Sequence, residues 1–391
     1  MSARGRQRWD AVLAGGGLSG PLLLAHLARS GWGERVLLVD DAGRGPEGDE
    51  QRWAGWGDAP SLLDRAVERR FDTLRVVAGG VERVLPLRRY RYQSVRRADL
   101  HRVLREVVAD RPGFVWRTGQ VQAVRDIGGA AQAVVDGEVV DARFVFDSRP
   151  PSAAEDAALG APDARLAFTG WRVRTERPAF ADAVPTLVDF RTPADGAARF
   201  VYVLPIDEHR ALVERTAFLP ARSPVSDGLS EDAALSRYLE AVLGVGPYDV
   251  VGTEHAVLPL RARTAPRAHG RVVDIGMRAG LVRASTGYAM GAIVRDTTRT
   301  VAALLAGEEP RGDDPLPARH HWLDAVLLDA VSHDPSELER AFARLFAEVP
   351  VDLLLRFLDG RTTPREELTV LAALPRRPYL RAAARVGEGR R

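Results

Sequence analysis

A glycine-rich turn near the start of the chain constrains the fold more than any other feature. Residues 9–14 are mostly apolar and predict a short buried strand. Gly15, Gly17 and Gly20 follow in the pattern G-x-G-x-x-G, and an apolar helical segment comes next. A second apolar strand then ends in Asp40, twenty residues after the third glycine. This βαβ arrangement is typical of a dinucleotide-binding site.

Each of these residue types has a physical role in such a site. Gly15 permits a tight turn, Gly17 lets the backbone approach a pyrophosphate, and Gly20 lets the helix lie close to the strand. The backbone amides and the helix dipole face the phosphates. Asp40 would accept hydrogen bonds from the adenosine ribose, and its charge disfavours a 2′-phosphate there. The alternative is a glycine-rich turn in an α/β domain that binds no nucleotide.

The composition excludes several classes of chemistry. The chain has 391 residues, with 55 basic and 53 acidic side chains, and no basic run is interleaved with aromatics, so nucleic acid is not an expected partner. The absence of cysteine and lysine excludes disulfides, thiolate catalysis and Schiff-base chemistry. The eight histidines lack metal-ligand spacing, so no metal is expected. No apolar stretch approaches the roughly 20 residues that a membrane-spanning helix needs.

Three later segments favour FAD over NAD as the dinucleotide. The helix that begins at Arg97 resembles the one that supplies an arginine to the flavin in FAD proteins of the aromatic hydroxylase type. A buried strand ending at Asp147 and a later strand ending at Gly276 resemble the segments that return to the cofactor in that fold. Gly287 follows the second of these strands. These residues are therefore predicted to contact FAD.

Eight segments resemble lycopene cyclases of the bacterial beta-cyclase type, in the order in which that family carries them. The segments are 52–56, 170–173, 187–191, 200–205, 211–216, 254–259, 284–288 and 354–359. Together they span nearly the whole chain. Leu166, Ala194 and the pair Met277-Arg278 depart from the family pattern, which leaves the exact substrate open.

The resemblance implies an α/β chain with an FAD-binding Rossmann-like fold of the aromatic hydroxylase type. It also implies an inserted mixed-sheet substrate domain and a C-terminal helical region. The predicted boundaries are 1–54, 96–158 and 261–307 for a discontinuous FAD-binding domain, 55–95 and 159–260 for the substrate-binding domain, and 318–391 for the helical region.

The activity implied by the resemblance is redox-neutral cyclisation of the psi ends of lycopene to beta-ionone rings, giving gamma-carotene and beta-carotene. Such an enzyme is an isomerase, an intramolecular lyase, that uses reduced FAD with NAD(P)H as reductant. The family's essential acid corresponds to Glu214, which shares one face of an alternating strand with Leu212 and Thr216. If that face is buried, desolvation keeps the carboxyl protonated near neutral pH. The alternative is that Glu214 pairs with an arginine on a sheet surface.

Aromatic faces near the acid would stabilise a carbocation by roughly 0.5 to 2 kcal/mol each. Phe190 is one aromatic residue that could stabilise the cation in this way. The residues predicted to contact substrate are Trp53, Trp56, Trp171, Tyr202 and Tyr288.

The carboxy-terminal part of the chain is predicted to be helical after a proline-rich linker, 308–317. Residues 361–391 contain eight arginines against three glutamates, alongside several leucines. This pattern suits the surface of an anionic bilayer, and a lipid-dissolved substrate favours peripheral association with the cytoplasmic face of the cell membrane. A solvated basic tail is the alternative.

Three other functions fit the same sequence. They are an FAD-dependent monooxygenase or other oxidoreductase, a cyclase of a different terpenoid, and a non-catalytic carotenoid-binding protein. Beta against epsilon ring type, one ring against two, the oligomeric state and the reductant stay open.

Overall fold

The computed structural model describes residues 8–41, 50–180, 183–225, 228–263, 266–310, 312, 314 and 316–389. Several predictions fall partly outside this set. They are the linker at positions 311, 313 and 315, the basic carboxy-terminal segment at Arg390 and Arg391, and the domain ranges 1–54, 159–260, 261–307 and 318–391, each of which includes positions that are not described.

The described residues form eighteen strands. They are β1 (Trp9–Ala14), β2 (Val36–Asp40), β3 (Arg52–Gly57), β4 (Val67–Phe71), β5 (Thr73–Ala78), β6 (Val81–Pro86), β7 (Arg91–Arg96), β8 (Phe114–Thr118), β9 (Val121–Asp126), β10 (Ala131–Val135), β11 (Glu138–Asp147), β12 (Ala164–Thr175), β13 (Thr186–Asp189), β14 (Ala198–Pro205), β15 (Arg210–Pro220), β16 (Tyr248–Leu260), β17 (Ala268–His269) and β18 (Val272–Asp274).

The same residues form ten α-helices, with a short 3-10 helix at Leu62–Arg65 and a π-helical turn at Tyr238–Val242. The α-helices are α1 (Ser19–Ser30), α2 (Arg97–Val108), α3 (Ala153–Ala158), α4 (Gly228–Arg237), α5 (Met290–Leu305), α6 (Ala318–His333), α7 (Ser336–Glu348), α8 (Val351–Leu358), α9 (Pro364–Ala373) and α10 (Arg376–Gly389).

The glycine-rich turn lies in a mixed eight-stranded sheet. Its main path runs β17-β18-β11-β1-β2-β8, and β10 and β9 are attached beside β11. The strand β1 pairs in parallel with both β2 and β11, and β18 continues in parallel beside β11. The helix α1 joins β1 to β2 and ends at Gly31, whose φ of 74° closes the helix. The predicted α/β fold class is confirmed.

A seven-stranded sheet in the order β16-β12-β15-β14-β13-β5-β6 forms the second layer. Its long strands β12, β15 and β16 are antiparallel, so the residues of one register line lie side by side across the sheet. The strands β3, β7 and β4 form a third sheet, in that order, and β5 and β6 of the seven-stranded sheet come between β4 and β7 in the chain.

The C-terminal helices pack on one face of the seven-stranded sheet. Leu345 and Leu355 belong to the same apolar cluster as Leu204 and Leu212, which lie on β14 and β15. The sequence predicts helices here from spacing and from capping residues, and α9 begins with the expected box, in which the Thr363 amide donates to Glu366 at 2.8 Å. The C-terminal helices are therefore packed against the seven-stranded sheet and share its core.

Candidate functional site

One continuous cavity of about 1060 Å³ joins the glycine-rich turn to the seven-stranded sheet. Gly15, Gly17 and Asp40 line one end, and Glu214 and Tyr202 line the other. Pockets for a single small ligand have volumes of about 300–1,000 Å³. This cavity is thus large enough to hold parts of two ligands at once.

The glycines at the first end have the surroundings that a dinucleotide requires. Gly15 has a φ of 110°, a conformation that favours glycine. At Gly17, no atom other than those of its chain neighbours lies within 4 Å of the position a Cβ would take. At Gly20 a Cβ would stand 2.2 Å from the carbonyl oxygen of Gly15. The turn is therefore open toward the cavity and tightly packed toward the helix, which fits a pyrophosphate at Gly17.

Asp40 and Arg97, both predicted to contact the cofactor, are bonded to each other. One guanidinium nitrogen of Arg97 donates to the two Asp40 oxygens, at 3.1 and 2.9 Å, and both residues are buried. Burial raises the pKa of Asp40, and the charge of Arg97 opposes that rise. His101 Nε2 lies 2.9 Å from the Gly16 carbonyl oxygen. Asp40 and Arg97 both line the cavity, so they are available to the adenosine side of a dinucleotide.

The other predicted cofactor residues differ in their placement. Gly276 and Gly287 line the cavity, with φ values of 64° and 76°. Asp147 is fully buried and its carboxylate accepts hydrogen bonds from Arg149 at 2.8 and 2.9 Å. Asp147 does not line the cavity; its carboxylate holds the side chain of Arg149, which does line it.

Glu214 lies at the end of the cavity formed by the seven-stranded sheet, in a line of residues that crosses four strands. Gly170 on β12 is paired with Glu254 on β16 and with Glu214 on β15, and Glu214 is paired with Tyr202 on β14. Because Gly170 has no side chain, both carboxyl groups lean over it: a Cβ there would stand 2.9 Å from the Cγ atoms of Glu214 and Glu254. The two acids therefore converge in one place.

The surroundings of Glu214 favour its protonated form. Burial raises its pKa well above the ordinary value, and the charge of Glu254 and a hydrogen bond to it raise the pKa further. The floor around it is mostly apolar, formed by Leu166, Phe168, Phe200, Leu212 and Phe218. The side chain of Arg215 points to the opposite face of the strand and bonds to Glu231. Glu214 thus points into the cavity together with Leu212 and Thr216, as the alternation along the strand predicts.

Aromatic side chains form the wall beside Glu214. The Tyr92 hydroxyl lies 2.9 Å from the hydroxyls of both Tyr202 and Tyr288. The Trp56 ring lies 4.8 Å from that of Tyr288, and its indole nitrogen donates to the Leu355 carbonyl at 3.0 Å. Burial raises the pKa of each tyrosine well above its ordinary value, which keeps these phenols neutral.

Four of the five aromatics predicted to contact substrate line the cavity, and one does not. Those that do are Trp53, Trp56, Tyr202 and Tyr288. Trp171 lies on the other face of the sheet, because it is one residue away from Gly170 on β12 and side chains alternate along a strand. Its indole nitrogen donates to Asp232 at 2.9 Å, and the ring packs in a separate core cluster. The structure therefore places Trp171 outside this cavity.

Tyr92, Glu254 and Arg172 are among the cavity residues that were not singled out from the sequence. Tyr92 carries no local signal, since its partners are more than a hundred positions away. Glu254 falls in a family-like segment, but only strand pairing brings it to Glu214. Arg172 lies on the cavity face, where its guanidinium lies against Gly252. It is two residues from Gly170 and so shares a face with it, but this face is known to carry Glu214 only once the pairing of β12 with β15 is known.

Among the described residues no group of three or more His, Cys, Asp or Glu is placed to hold a metal ion. In the same part of the chain, none of the helices is both long enough and apolar enough to cross a membrane.

Comparison with known proteins places the chain in a family. A family model described as lycopene cyclase protein matches residues 10–384. The chain belongs to the lycopene cyclase family. Among lycopene cyclases, it is 24% identical to lycopene beta-cyclase of Pantoea ananas, in a match that covers 96% of this chain and 97% of that protein. It is 27% identical to lycopene beta-cyclase of a Paracoccus species, with 96% and 99% covered.

Several solved structures of flavin-dependent and related proteins have the same fold. A geranylgeranyl bacteriochlorophyll reductase-like protein from Thermoplasma acidophilum has a TM-score of 0.61 at 14% identity, covering 97% of this chain and 99% of that one. For p-nitrophenol 4-monooxygenase from Pseudomonas putida the TM-score is 0.60 at 16% identity, with 91% and 99% covered. For the halogenase PltM in complex with phloroglucinol and FAD it is 0.58 at 13% identity, with 97% and 95% covered. These likenesses establish the fold of this lycopene cyclase family member.

Proposed function

We propose that the protein is a lycopene beta-cyclase, which closes the psi ends of lycopene to beta-ionone rings without net redox change. The observation that carries this proposal is the position of Glu214, a carboxyl with a raised pKa in a mostly apolar pocket that is continuous with the dinucleotide turn. Family membership and the two lycopene beta-cyclase relatives support the same substrate.

Ring closure needs a proton donor, a pocket that tolerates a cation, and a proton acceptor. Glu214 keeps its proton near neutral pH because burial disfavours its charged form. It gives that proton to an alkene carbon, and a second alkene attacks the resulting cation to form the ring. Trp56 and Tyr288 line the same cavity, and an aromatic face turned toward the cation would stabilise it by roughly 0.5 to 2 kcal/mol. Loss of a neighbouring proton then restores a double bond.

The cofactor of this reaction is FAD in its reduced form, with NAD(P)H as the reductant that prepares it. The open turn at Gly17 and the carboxylate of Asp40 would hold its pyrophosphate and ribose, and Arg97, Gly276 and Gly287 line the space beyond. A reduced, anionic flavin supplies negative charge beside a developing cation. The chain's own residues position the substrate and move the proton.

A lipid-dissolved substrate requires access from a bilayer, and we assign that contact to the C-terminal helices. Leu368 on α9 and Leu380 on α10 are each 67% exposed, in a segment rich in arginine. Exposed leucines with cationic neighbours bind anionic bilayer surfaces. The protein thus associates peripherally with the cytoplasmic face of the membrane. Replacing both leucines by serine should weaken sedimentation with anionic vesicles, whereas Leu229→Ser on α4, where the leucine is 83% exposed, should not.

Anaerobic incubation with lycopene in liposomes tests the activity. FAD is either reduced chemically or left oxidised, and the pigments are separated by chromatography. Cyclic product formed only with reduced FAD supports the proposal. Unchanged lycopene, with FAD bound and a control cyclase active, excludes it and favours another terpenoid. Consumption of NAD(P)H and oxygen in proportion to product would identify a monooxygenase instead.

A further inference from the structure

Glu254 is a second carboxyl at the reaction centre. It comes from β16, the outer strand of the sheet, and reaches over Gly170 toward Glu214. Both acids line the cavity. In the seven-stranded sheet, neighbouring strands lie ~4.8 Å apart, so an intervening side chain would keep the two acids apart. Glycine at position 170 removes that barrier.

We propose that Glu214 and Glu254 share one proton, and that Glu254 accepts the proton released when the ring alkene forms. This inference rests on the proposed function, which it deepens by naming the base. Two carboxyls side by side do not both ionise readily, because like charges repel. At rest the pair therefore holds one acid and one carboxylate, which are the two forms that the reaction needs.

The proton balance of the cycle closes within the pair. The O–H bond of Glu214 breaks as the π electrons of an end alkene form a C–H bond, which leaves a tertiary cation and a Glu214 carboxylate. The π electrons of a second alkene form the ring bond, and the cation moves to a ring carbon. A C–H bond beside it breaks, its electrons form the ring alkene, and the proton goes to Glu254. Transfer of that proton to Glu214 through the hydrogen bond between them restores the starting state, with no electron gained or lost.

Two carboxyls suit this sequence better than one, because the carbon that gains a proton and the carbon that loses one are different atoms. A single carboxyl would have to move between them within the lifetime of the cation. In the pair, the donor and the acceptor are anchored on separate strands, β15 and β16, and point into the same cavity. While Glu214 is deprotonated, two negative charges face the cation and stabilise it.

The other charged or titratable groups near the pair are less well placed than Glu254 to accept the proton. His255 follows Glu254 on β16 and also lines the cavity, but its Nδ1 lies 3.0 Å from the Thr169 hydroxyl, and Thr169 is one residue away from Gly170 and so on the other face of β12. Burial keeps the phenols of Tyr92, Tyr202 and Tyr288 neutral. The helices over the cavity contribute Phe342 and Leu358, which do not titrate. The charged side chain on the same face of β12 is that of Arg172, a cation that cannot accept a proton.

Steady-state kinetics with lycopene across a pH range test the inference. In Glu254→Gln, kcat should fall about 10²- to 10⁴-fold, the usual contribution of general acid–base catalysis, while KM changes less than about threefold. In this variant the decline of kcat at alkaline pH should also begin at a lower pH than in wild type. The reason is that an amide at position 254 no longer raises the pKa of Glu214. Glu254→Asp should keep more activity than Glu254→Gln. Asp249→Asn, an exposed carboxyl on the same strand, is the matched control and should behave as wild type.

Gly170→Ala is a second, independent variant. Its Cβ would stand 2.9 Å from both Cγ atoms and push the acids apart while keeping both. As in Glu254→Gln, kcat should fall, and the decline of kcat at alkaline pH should begin at a lower pH than in wild type. Variants are compared only where FAD binding and the melting curve show a folded protein. A folded Glu254→Gln or Gly170→Ala with wild-type kcat and pH profile overturns the pair but leaves the cyclase proposal standing. A wild-type protein that cyclises nothing overturns both.

Discussion

The guanidinium of Arg215 donates a hydrogen bond to the Glu231 carboxylate at 2.7 Å, in a buried ion pair on the face of β15 that points away from the cavity. Arg215 also bonds to Asp195, and Glu231 also accepts from Arg199, each at 2.7 Å. Arg215 is the next residue after Glu214, yet its charge is neutralised on the far side of the sheet. The acid can therefore stay uncharged although an arginine adjoins it in the chain.

This ion pair predicts a loss of stability without a loss of chemistry. Glu231→Gln removes the shared partner of two buried arginines, and breaking a buried pair by removing one member costs about 3–5 kcal/mol. The urea midpoint should fall accordingly, while kcat per mole of bound FAD should match wild type, because the pair lies on the other face. A variant with wild-type stability and reduced kcat would contradict the separation of the two faces.

Two glycines of the N-terminal turn should respond differently to alanine. Gly17→Ala places a methyl group in open space, so the melting temperature of the FAD-free protein should not change. The same methyl group would occupy the space assigned to the pyrophosphate, and FAD affinity should fall at least about tenfold, or 1.4 kcal/mol. Fluorescence titration with FAD measures this.

Gly20→Ala is the matched comparison. Its Cβ would stand 2.2 Å from the Gly15 carbonyl oxygen, and overpacking of this kind costs about 1–3 kcal/mol. The FAD-free protein should melt earlier. If both variants lost only stability, or both lost only FAD affinity, the assignment of the turn would be wrong.

Trp56 and Trp171 make equivalent hydrogen bonds on opposite faces, which allows a controlled comparison. Each indole nitrogen donates to one oxygen, at 3.0 Å to Leu355 and 2.9 Å to Asp232. Replacement by phenylalanine should therefore cost each variant about 1 kcal/mol of stability. Only Trp56→Phe should lower kcat/KM, by about twofold or more, since a phenyl ring stabilises a cation less than an indole. Equal kinetic losses in both variants would place Trp171 near substrate after all.

The contrast between these tryptophans also shows what the sequence can and cannot predict. The glycine-rich turn, α1 and β2 were predictable because their signals are local: glycine spacing, an apolar helix and a carboxylate at a fixed distance. The orientation of Glu214 followed from alternation along one strand. The meeting of Glu214 with Glu254 depends on the pairing of β12 with β15 and β16, which no local pattern encodes. The C-terminal helices were predictable as helices, because the spacing of apolar residues indicates that each has an apolar face. The same spacing does not indicate which surface that face packs against, here the strands β14 and β15.

The raised pKa of Glu214 predicts a stability that depends on pH. In the unfolded chain this carboxyl ionises near its ordinary value of 4.5, whereas in the folded protein it holds its proton to a higher pH. Between these two values the folded protein binds one more proton than the unfolded chain, so the free energy of unfolding falls as the pH rises. The contribution of Glu214 is thus present at low pH and is lost as the pH rises through the folded pKa.

Glu214→Gln removes this dependence and the reaction together. The amide cannot ionise, so the melting temperature of the variant should exceed that of wild type at alkaline pH, with the difference shrinking toward pH ~4.5. Cyclisation should fall by at least about 10²-fold at every pH, because an amide cannot serve as the acid. FAD binding should be unchanged, since Glu214 lies at the opposite end of the cavity from Gly17.

Calorimetry and pigment chromatography on one preparation of Glu214→Gln measure the change in stability and the loss of cyclisation. A variant that kept full cyclisation with FAD bound would remove Glu214 from the mechanism, and one that melted earlier at alkaline pH would show that the carboxyl is ionised in the folded protein.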